Sequence, residues 1–139
     1  MRKRTLAREA VLKLLYQVDV ITDDAEAIIG RFWEDNPVDH DVREFAERIL
    51  IGVLKNKNRL DEIISRHTEN WNLNRMALLD KNILRFGTYE LLFMADIPPK
   101  VTINEAVNIA KKFSQEDSGK FINGVLDHIN HHEQPVASE

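Results

Sequence analysis

Ser118-Gly119-Lys120 has the residue types that end the phosphate-binding loop of nucleotide hydrolases. That loop also needs a Ser or Thr after its Lys, to hold a metal ion, and a Gly at its start. Phe121 and Ser114 occupy those two positions here. The stretch therefore does not predict a nucleotide-hydrolysis site.

Histidines are the next candidates for chemistry. His128, His131 and His132 have a spacing that brings imidazoles together on a helix, but no carboxylate is placed to complete a tetrahedral metal site. We interpret them as part of a solvated tail. His40 and His67 are isolated, and no Ser, His and Asp pattern indicates a catalytic triad. The chain has no cysteine, which excludes thiolate nucleophiles and disulfides. We expect binding without catalysis, cofactor or metal.

Basic residues are concentrated at the start of the chain. The first 16 residues carry a net charge of +4, whereas the whole chain carries −4, so the other 123 residues total −8. An acidic protein of this kind does not coat nucleic acid over its whole surface, and any nucleic-acid site must be local. The candidates for contact with phosphates are Arg2, Lys3, Arg4 and Arg8.

The first predicted helix, residues about 4 to 20, extends this basic start. Its aliphatic residues form one stripe, and Thr5, Arg8, Leu12 and Tyr16 project together on the flank away from it. An outward Tyr beside an Arg is a surface on which bases of single-stranded RNA stack. The alternative is a solvated helix face with one incidental aromatic side chain.

The last interhelical turn carries a second candidate surface, formed by Phe113, Asp117, Lys120 and Phe121. Two aromatic rings beside a helix N-terminus supply stacking faces and amide donors for phosphate. Each Phe is also compatible with the core. Asp117 is more simply explained as a helix cap. A carboxylate beside RNA would repel phosphate. We keep all four as candidate RNA-binding residues.

The elements that position these residues are helices. Helical periodicity runs through the chain without a convincing strand, so we predict an all-α fold of about seven helices. No linker rich in Gly, Ser or Pro divides the chain, which favours one domain, residues 1–139, of two packed three-helix sub-bundles. These comprise residues about 1–70 and about 71–132, and residues 133–139 are expected to fray. No apolar run approaches the roughly 20 residues of a membrane span, and the basic start lacks the apolar segment of a signal peptide.

The longest predicted helix, residues about 75–95, is apolar around most of its circumference and is expected to be the central one. Asp80 and Glu90 project within its apolar sector, where an unpaired carboxylate costs several kcal/mol by rough estimate. Each is therefore expected to pair internally or to meet a basic partner protein. Gly87 in the same helix indicates close approach by another helix.

The start of the sixth helix is predicted from a capping motif. Ile97-Pro98-Pro99 ends the preceding helix, because proline removes backbone donors. Thr102-Ile103-Asn104-Glu105 then has the T-x-x-E spacing in which the Thr and Glu side chains satisfy free amides of a first helical turn. We therefore expect the sixth helix to begin at Thr102.

Several motifs together resemble those of one family, the bacterial transcription antitermination factor NusB. They cover essentially the whole length and are concentrated after residue 71. The motifs are Arg8-Glu9-Ala10, Leu15-Tyr16, Asp80-Lys81-Asn82-Ile83-Leu84-Arg85, Tyr89-Glu90-Leu91, Ile97-Pro98, Val101-Thr102-Ile103-Asn104-Glu105-Ala106, Ala110-Lys111-Lys112-Phe113 and the run from Asp117 to Asp127.

The resemblance implies a cytoplasmic, all-helical, non-enzymatic protein that pairs with NusE, a small-subunit ribosomal protein. The pair binds the single-stranded boxA element of nascent ribosomal RNA leaders and supports processive transcription with RNA polymerase and other Nus factors. By resemblance the RNA side includes Arg2, Lys3, Arg4, Arg8, Phe113, Asp117 and Phe121, while Tyr16 and Asp80 match positions implicated in NusE contact.

One departure and one alternative qualify this expectation. Thr5 and Leu6 stand where some relatives continue a run of arginines, so binding of RNA without NusE is expected to be weaker here. The alternative function is a helical scaffold or homodimer that binds proteins and no RNA, because basic helix faces are commonly just solvated.

Overall fold

The protein is an assembly of α-helices. The computed structural model describes residues 2–68 and 73–136, and in that part of the chain it contains seven α-helices and no strand. They are α1 (Lys3–Val20), α2 (Ala25–Asp35), α3 (His40–Lys55), α4 (Lys57–Arg66), α5 (Leu78–Phe93), α6 (Pro99–Phe113) and α7 (Ser118–His132). The prediction of an all-α fold with about seven helices is confirmed.

Helix α5 lies at the centre. It packs against α1, α3 and α4 from the N-terminal half and against α6 and α7 from the C-terminal half. Residues 82–88 and 90–92 are all buried, so the helix is covered around most of its circumference. Its aliphatic and aromatic side chains, among them Ile83, Leu84 and Phe86, each stabilise the fold by roughly 1.5–3 kcal/mol through removal from water.

Helices α1 and α3 run side by side in the same direction. Near their starts, Lys3 Nζ lies 2.9 Å from Asp41 Oδ2. Near their ends, Asp19 Oδ1 lies 3.0 Å from the Nζ of Lys57, the first residue of α4, two positions after the end of α3. The starts of α1 and α3 therefore form one end of the N-terminal half, and this end carries the basic segment.

Two helix starts differ from the prediction. Helix α5 begins at Leu78 rather than near residue 75, because Leu73–Arg75 form a separate 3-10 turn. Helix α6 begins at Pro99, whose fixed φ suits the first helical position, so the expected start at Thr102 is wrong. The Thr102 hydroxyl donates to Glu90 Oε1 at 2.9 Å instead of capping α6.

Gly87 confirms the expected close approach of a second helix. A Cβ atom added at Gly87 would lie 2.9 Å from Leu126 Cδ1 of α7. A larger residue here would require the buried Leu126 side chain to shift, and this explains a glycine in the middle of a buried helix despite its cost of about 1 kcal/mol relative to Ala.

The segment after α7 is packed rather than frayed over residues 133–136. The amide of Val136 donates to the carbonyl of Leu92 at 2.7 Å, and Val136 packs against the core. The expectation of a frayed tail is therefore wrong for these residues, and the remainder, 137–139, lies outside the described part of the chain. Among the described helices, none is long and apolar enough to cross a membrane.

Candidate RNA interface

Arg8 is buried, contrary to the helical-wheel prediction. Only 1% of its side chain is exposed. Its Nε and Nη2 donate to the two carboxylate oxygens of Glu90 at 2.8 and 2.7 Å. Leu12 is buried as well, because α1 packs against α2, α3 and α5 and is covered on more than one flank. In this structure Arg8 is not available to contact a phosphate.

The Arg8–Glu90 pair belongs to a polar network that holds the start of α1 against α5 and α6. Glu105 Oε1 accepts from Arg8 Nη1 at 3.1 Å and from the Thr5 hydroxyl at 2.6 Å. Burial alone lowers the pKa of Arg8, but the hydrogen bonds and charges of Glu90 and Glu105 outweigh it, so this pKa is raised and the guanidinium stays charged. Glu90 therefore pairs internally, which was one of the two expectations for it.

The basic segment before Arg8 is exposed. Arg2, Lys3 and Arg4 lie at the solvent surface at the start of α1. Lys3 pairs with Asp41, and the hydrogen bond from Lys3 lowers the pKa of Asp41 while it raises that of Lys3. The guanidinium of Arg4 lies over the ring of Phe45, 4.4 Å from its centroid. Lys3, Arg4, Asp41 and Phe45 border a cleft of about 610 Å³ between α1 and α3.

Phe113, at the end of α6, lies close to two lysines. Its ring centroid is 5.6 Å from Lys13 Nζ of α1 and 5.2 Å from Lys112 Nζ of α6. Lys112 also pairs with Glu9, 3.1 Å away, which orients it. The Phe113 ring is half-buried and packs against the core. A partly exposed aromatic ring with two ammonium groups nearby offers a base a stacking surface and a phosphate two cations.

Asp80 organises the turn between α6 and α7. Its carboxylate accepts from the Ser114 hydroxyl at 2.6 Å and from the Ser118 hydroxyl at 3.0 Å. Only 8% of Asp80 is exposed, so it is satisfied inside the protein, as one of the two expectations for it required. Asp80 thereby fixes the spacing between Phe113 and the first turn of α7.

The other predicted residues of this turn differ in exposure. Asp117 and Lys120 are exposed, and Phe121 is half-buried and packs against the core. Asp117 is the residue before α7, but its side chain makes no capping hydrogen bond. The structure thus brings Phe113, Asp117, Lys120 and Phe121 together around one short turn.

Tyr16 is exposed, as predicted, and its exposed neighbours along the chain differ from the basic residues at the start of α1. It is 42% exposed on α1 and is followed along the chain by the exposed apolar residues Val20 and Ile21. This surface is apolar rather than basic, so its chemistry suits a protein partner better than a phosphate.

Three residues near the predicted site were not singled out from the sequence: Lys13, Lys112 and Phe45. A signal was available for Lys13, which stands four residues after Glu9 and therefore on the same face of α1. Phe45 and Lys112 are brought near the site only by the packing of α3 and α6. Within residues 2–68 and 73–136, no three or more His, Asp or Glu side chains are arranged to hold a metal ion.

Comparison with known proteins supports a specific ancestry. The model of the NusB family matches residues 5–131. The chain is 45% identical over 128 residues to the transcription antitermination protein NusB of Anaeromyxobacter sp. (strain Fw109-5), covering 91% of this chain and 89% of that relative. It is 39% identical over 143 residues to the NusB of Syntrophus aciditrophicus (strain SB), covering 99% and 89%.

Solved structures agree. T. maritima NusB superposes with a TM-score of 0.85 at 42% identity, covering 95% of this chain and 93% of that one. A chain from the crystal structure of antitermination factors NusB and NusE in complex with dsRNA superposes with a TM-score of 0.85 at 29% identity, covering 94% and 98%. From the match along nearly its whole length, in sequence and in fold, this chain belongs to the NusB family.

Proposed function

We propose that this chain is a transcription antitermination factor that binds the boxA element of nascent ribosomal RNA leaders together with NusE. The observation that carries the proposal is the full-length match to NusB proteins, which includes a structure of NusB with NusE and RNA. The activity is binding without catalysis, and it would be exercised in the cytoplasm, where bacterial transcription takes place.

The exposed basic and aromatic residues support this function. Arg2, Lys3 and Arg4 supply cations at one end of α1, while Lys13 and Lys112 supply cations around the Phe113 ring. Glu9 and Arg8, between these two groups, are buried and hold α1 against α5 and α6. We propose one RNA path from the start of α1 to the turn that contains Asp117, Lys120 and Phe121.

Arg8 has an indirect role in this proposal. Its guanidinium is hydrogen-bonded to Glu90 and Glu105. Arg8 therefore positions Arg2, Lys3 and Arg4 and does not contact phosphate itself. Asp80 has a parallel role at the other end of the path, where it holds the α6–α7 turn through Ser114 and Ser118. Tyr16 is a stronger candidate than Asp80 for contact with NusE, because Tyr16 is exposed and Asp80 is buried.

A mobility-shift titration tests the proposal. A boxA RNA and a scrambled RNA of equal length are titrated with this chain, with NusE, and with both proteins. We expect the tightest binding for boxA with both proteins, because a basic ribosomal protein extends the cationic surface. Contact with about 4–6 phosphates gives a slope of log affinity against log salt of roughly −3 to −4. Equal affinity for the two RNAs would exclude the proposed specificity.

The second candidate function is a scaffold that binds proteins and does not bind RNA. The exposed apolar residues Tyr16, Val20 and Ile21 favour it. Sedimentation velocity with NusE, with and without boxA RNA, separates the two. The scaffold requires a complex with NusE whose sedimentation does not change when RNA is added.

A further inference from the structure

Three histidines and a carboxylate meet where the end of α4, the end of α7 and the following segment come together. His67 Nδ1 lies 2.6 Å from His128 Nδ1, and His67 Nε2 lies 2.7 Å from Glu133 Oε2. The rings of His128 and His132 are stacked, with centroids 4.0 Å apart and planes inclined by 28°. This cluster is at the opposite end of α7 from the candidate RNA interface, and the proposed function does not use it.

The hydrogen bonds assign the protons of the cluster. A carbonyl oxygen only accepts, so the 2.8 Å contact between His132 Nδ1 and the carbonyl of His128 places the ring proton of His132 on Nδ1. The Glu133 carboxylate likewise takes the Nε2 proton of His67, which leaves His67 Nδ1 as an acceptor. His128 must then donate its Nδ1 proton to His67. The Nε2 atoms of both His128 and His132 are left with free lone pairs.

We propose that His128 and His132 bind a divalent transition-metal ion, of the Zn²⁺ class, through these two Nε2 atoms. The two residues stand one turn apart on one face of α7, the same i, i+4 arrangement in which paired histidines bind zinc on a helix. Both side chains are exposed, so an ion has direct access. Two protein ligands leave the other coordination positions to water, consistent with the absence of a three-ligand site in the described residues.

His67 and Glu133 act as positioning residues for this pair. A metal-binding histidine commonly donates its second ring proton to a fixed acceptor, which orients the ring and raises its basicity as a ligand. His128 donates to His67 and His67 donates to Glu133, while His132 donates to a backbone carbonyl. These hydrogen bonds hold the Nδ1 protons of His128 and His132 away from the two free Nε2 atoms, and the stacked rings need to turn toward each other for both Nε2 atoms to reach one ion.

Charged groups around the cluster have opposing effects on a cation. Glu133 favours it, while Arg66 of α4, whose Nη2 is 3.2 Å from Glu133 Oε1, partly neutralises that charge. His131 faces Asp127, with its Nδ1 3.5 Å from the Asp127 carboxylate. His131 is thus a matched control, since it is exposed on the same turn and donates to a backbone carbonyl in the same way.

Calorimetric titration of the full chain with Zn²⁺ in a weakly coordinating buffer at pH 7.5 tests the proposal. This pH is about one unit above the ordinary histidine pKa. We expect one ion per chain. His128→Asn and His132→Asn should each weaken binding at least about tenfold, and His131→Asn should leave it unchanged. Affinity should fall on acidification, because the metal and the proton compete for Nε2.

The positioning role of His67 and Glu133 predicts its own effect on Zn²⁺ affinity. Glu133→Gln and His67→Ala should weaken Zn²⁺ binding by about 10-fold to 100-fold without changing the stoichiometry, as loss of an outer partner does at other metal sites. Circular dichroism of each variant checks that the helices remain. Zn²⁺ binding that is unchanged in His132→Asn, or reduced as much by His131→Asn as by His132→Asn, would overturn the proposed site.

Discussion

The guanidinium of Arg8 and the carboxylate of Glu90 form two hydrogen bonds, of 2.8 and 2.7 Å, with at most 1% of either side chain exposed. This pair joins α1 to α5 across 82 residues of sequence. The Thr102 hydroxyl and Glu105 complete the set of partners around it. Arg8 is thus part of the internal structure, although its neighbours Arg2, Lys3 and Arg4 are exposed.

Replacement of Arg8 with Ala should lower the free energy of unfolding by about 3–5 kcal/mol, because it leaves the Glu90 carboxylate buried without its partner. Chemical denaturation followed by circular dichroism measures this loss. The double variant Arg8→Met, Glu90→Leu should recover part of it, since no fully buried charge is left unpaired and Glu105, 17% exposed, keeps the Thr5 hydroxyl as a donor. Equal stability of wild type and Arg8→Ala would mean that the pair does not hold the fold together.

Replacement of Lys13 with Ala should weaken RNA binding by the complex with NusE and reduce the steepness of the salt dependence by about 0.7, the contribution of one phosphate contact on a single strand. Arg31→Ala is the control, because Arg31 is an exposed cation of α2 paired with Asp23 and lies outside the proposed RNA path. Filter binding at several salt concentrations gives both slopes. If both variants have the wild-type slope, Lys13 makes no phosphate contact.

Two glycines should respond in opposite directions to Ala. A Cβ at Gly52 of α3 would collide with the ring of Tyr89, so Gly52→Ala should destabilise the protein by about 1–3 kcal/mol or more. A Cβ at Gly30 of α2 meets nothing within 4 Å, so Gly30→Ala should stabilise it by up to about 1 kcal/mol. Thermal unfolding of both variants measures the difference. A melting temperature for Gly52→Ala at or above wild type would contradict the packing described.

The stability of the protein should decrease in acid partly through Asp19. Burial raises the pKa of Asp19, but hydrogen bonds from Lys57 and Asn82 and the charges of Lys57 and Arg85 outweigh it, so the folded-state pKa lies below the ordinary 3.8. A lowered folded-state pKa stabilises the fold above the unfolded-state pKa, and this stabilisation is lost as the pH falls through the folded-state pKa.

Asp19→Asn tests this expectation. At pH 7 the variant should be less stable than wild type by about 1–3 kcal/mol, because Lys57 and Arg85 lose a charged acceptor. At pH 3, below the ordinary pKa of 3.8, the difference should narrow, because the unfolded chain binds a proton at Asp19 and the charged form then contributes less to stability. Urea unfolding at the two pH values measures this. A constant difference would show that Asp19 does not titrate in this range.

Local patterns in the sequence predicted the helices, the central position of α5 and the role of Gly87. These features depend on the spacing of neighbouring residues, and so periodicity reports them directly. The same method failed for Arg8. A wheel built on aliphatic residues places a charged residue outside, whereas the partner that allows Arg8 to be buried, Glu90, lies in another helix.

The predictions made from the capping motif and from the histidines were wrong for the same physical reason. Thr102 and Glu105 have the spacing of a cap, but Pro99 starts α6 earlier and both side chains turn to residues of other helices. Asp127 and Glu133 flank His128 and His132 in sequence, but only the fold brings the distant His67 of α4 between His128 and Glu133. Contacts between distant segments leave no periodic signal.

The Arg8 network also has a consequence for the order in which the protein is made. Ribosomes synthesise α1 first, and the acceptors of Arg8, Glu90 and Glu105, emerge only 82 and 97 residues later. Until then the nascent chain carries Arg8 as one more free cation beside Arg2, Lys3 and Arg4. An incomplete chain is therefore more cationic at its start than the finished protein, and the carboxylates of α5 and α6 withdraw that charge from solvent.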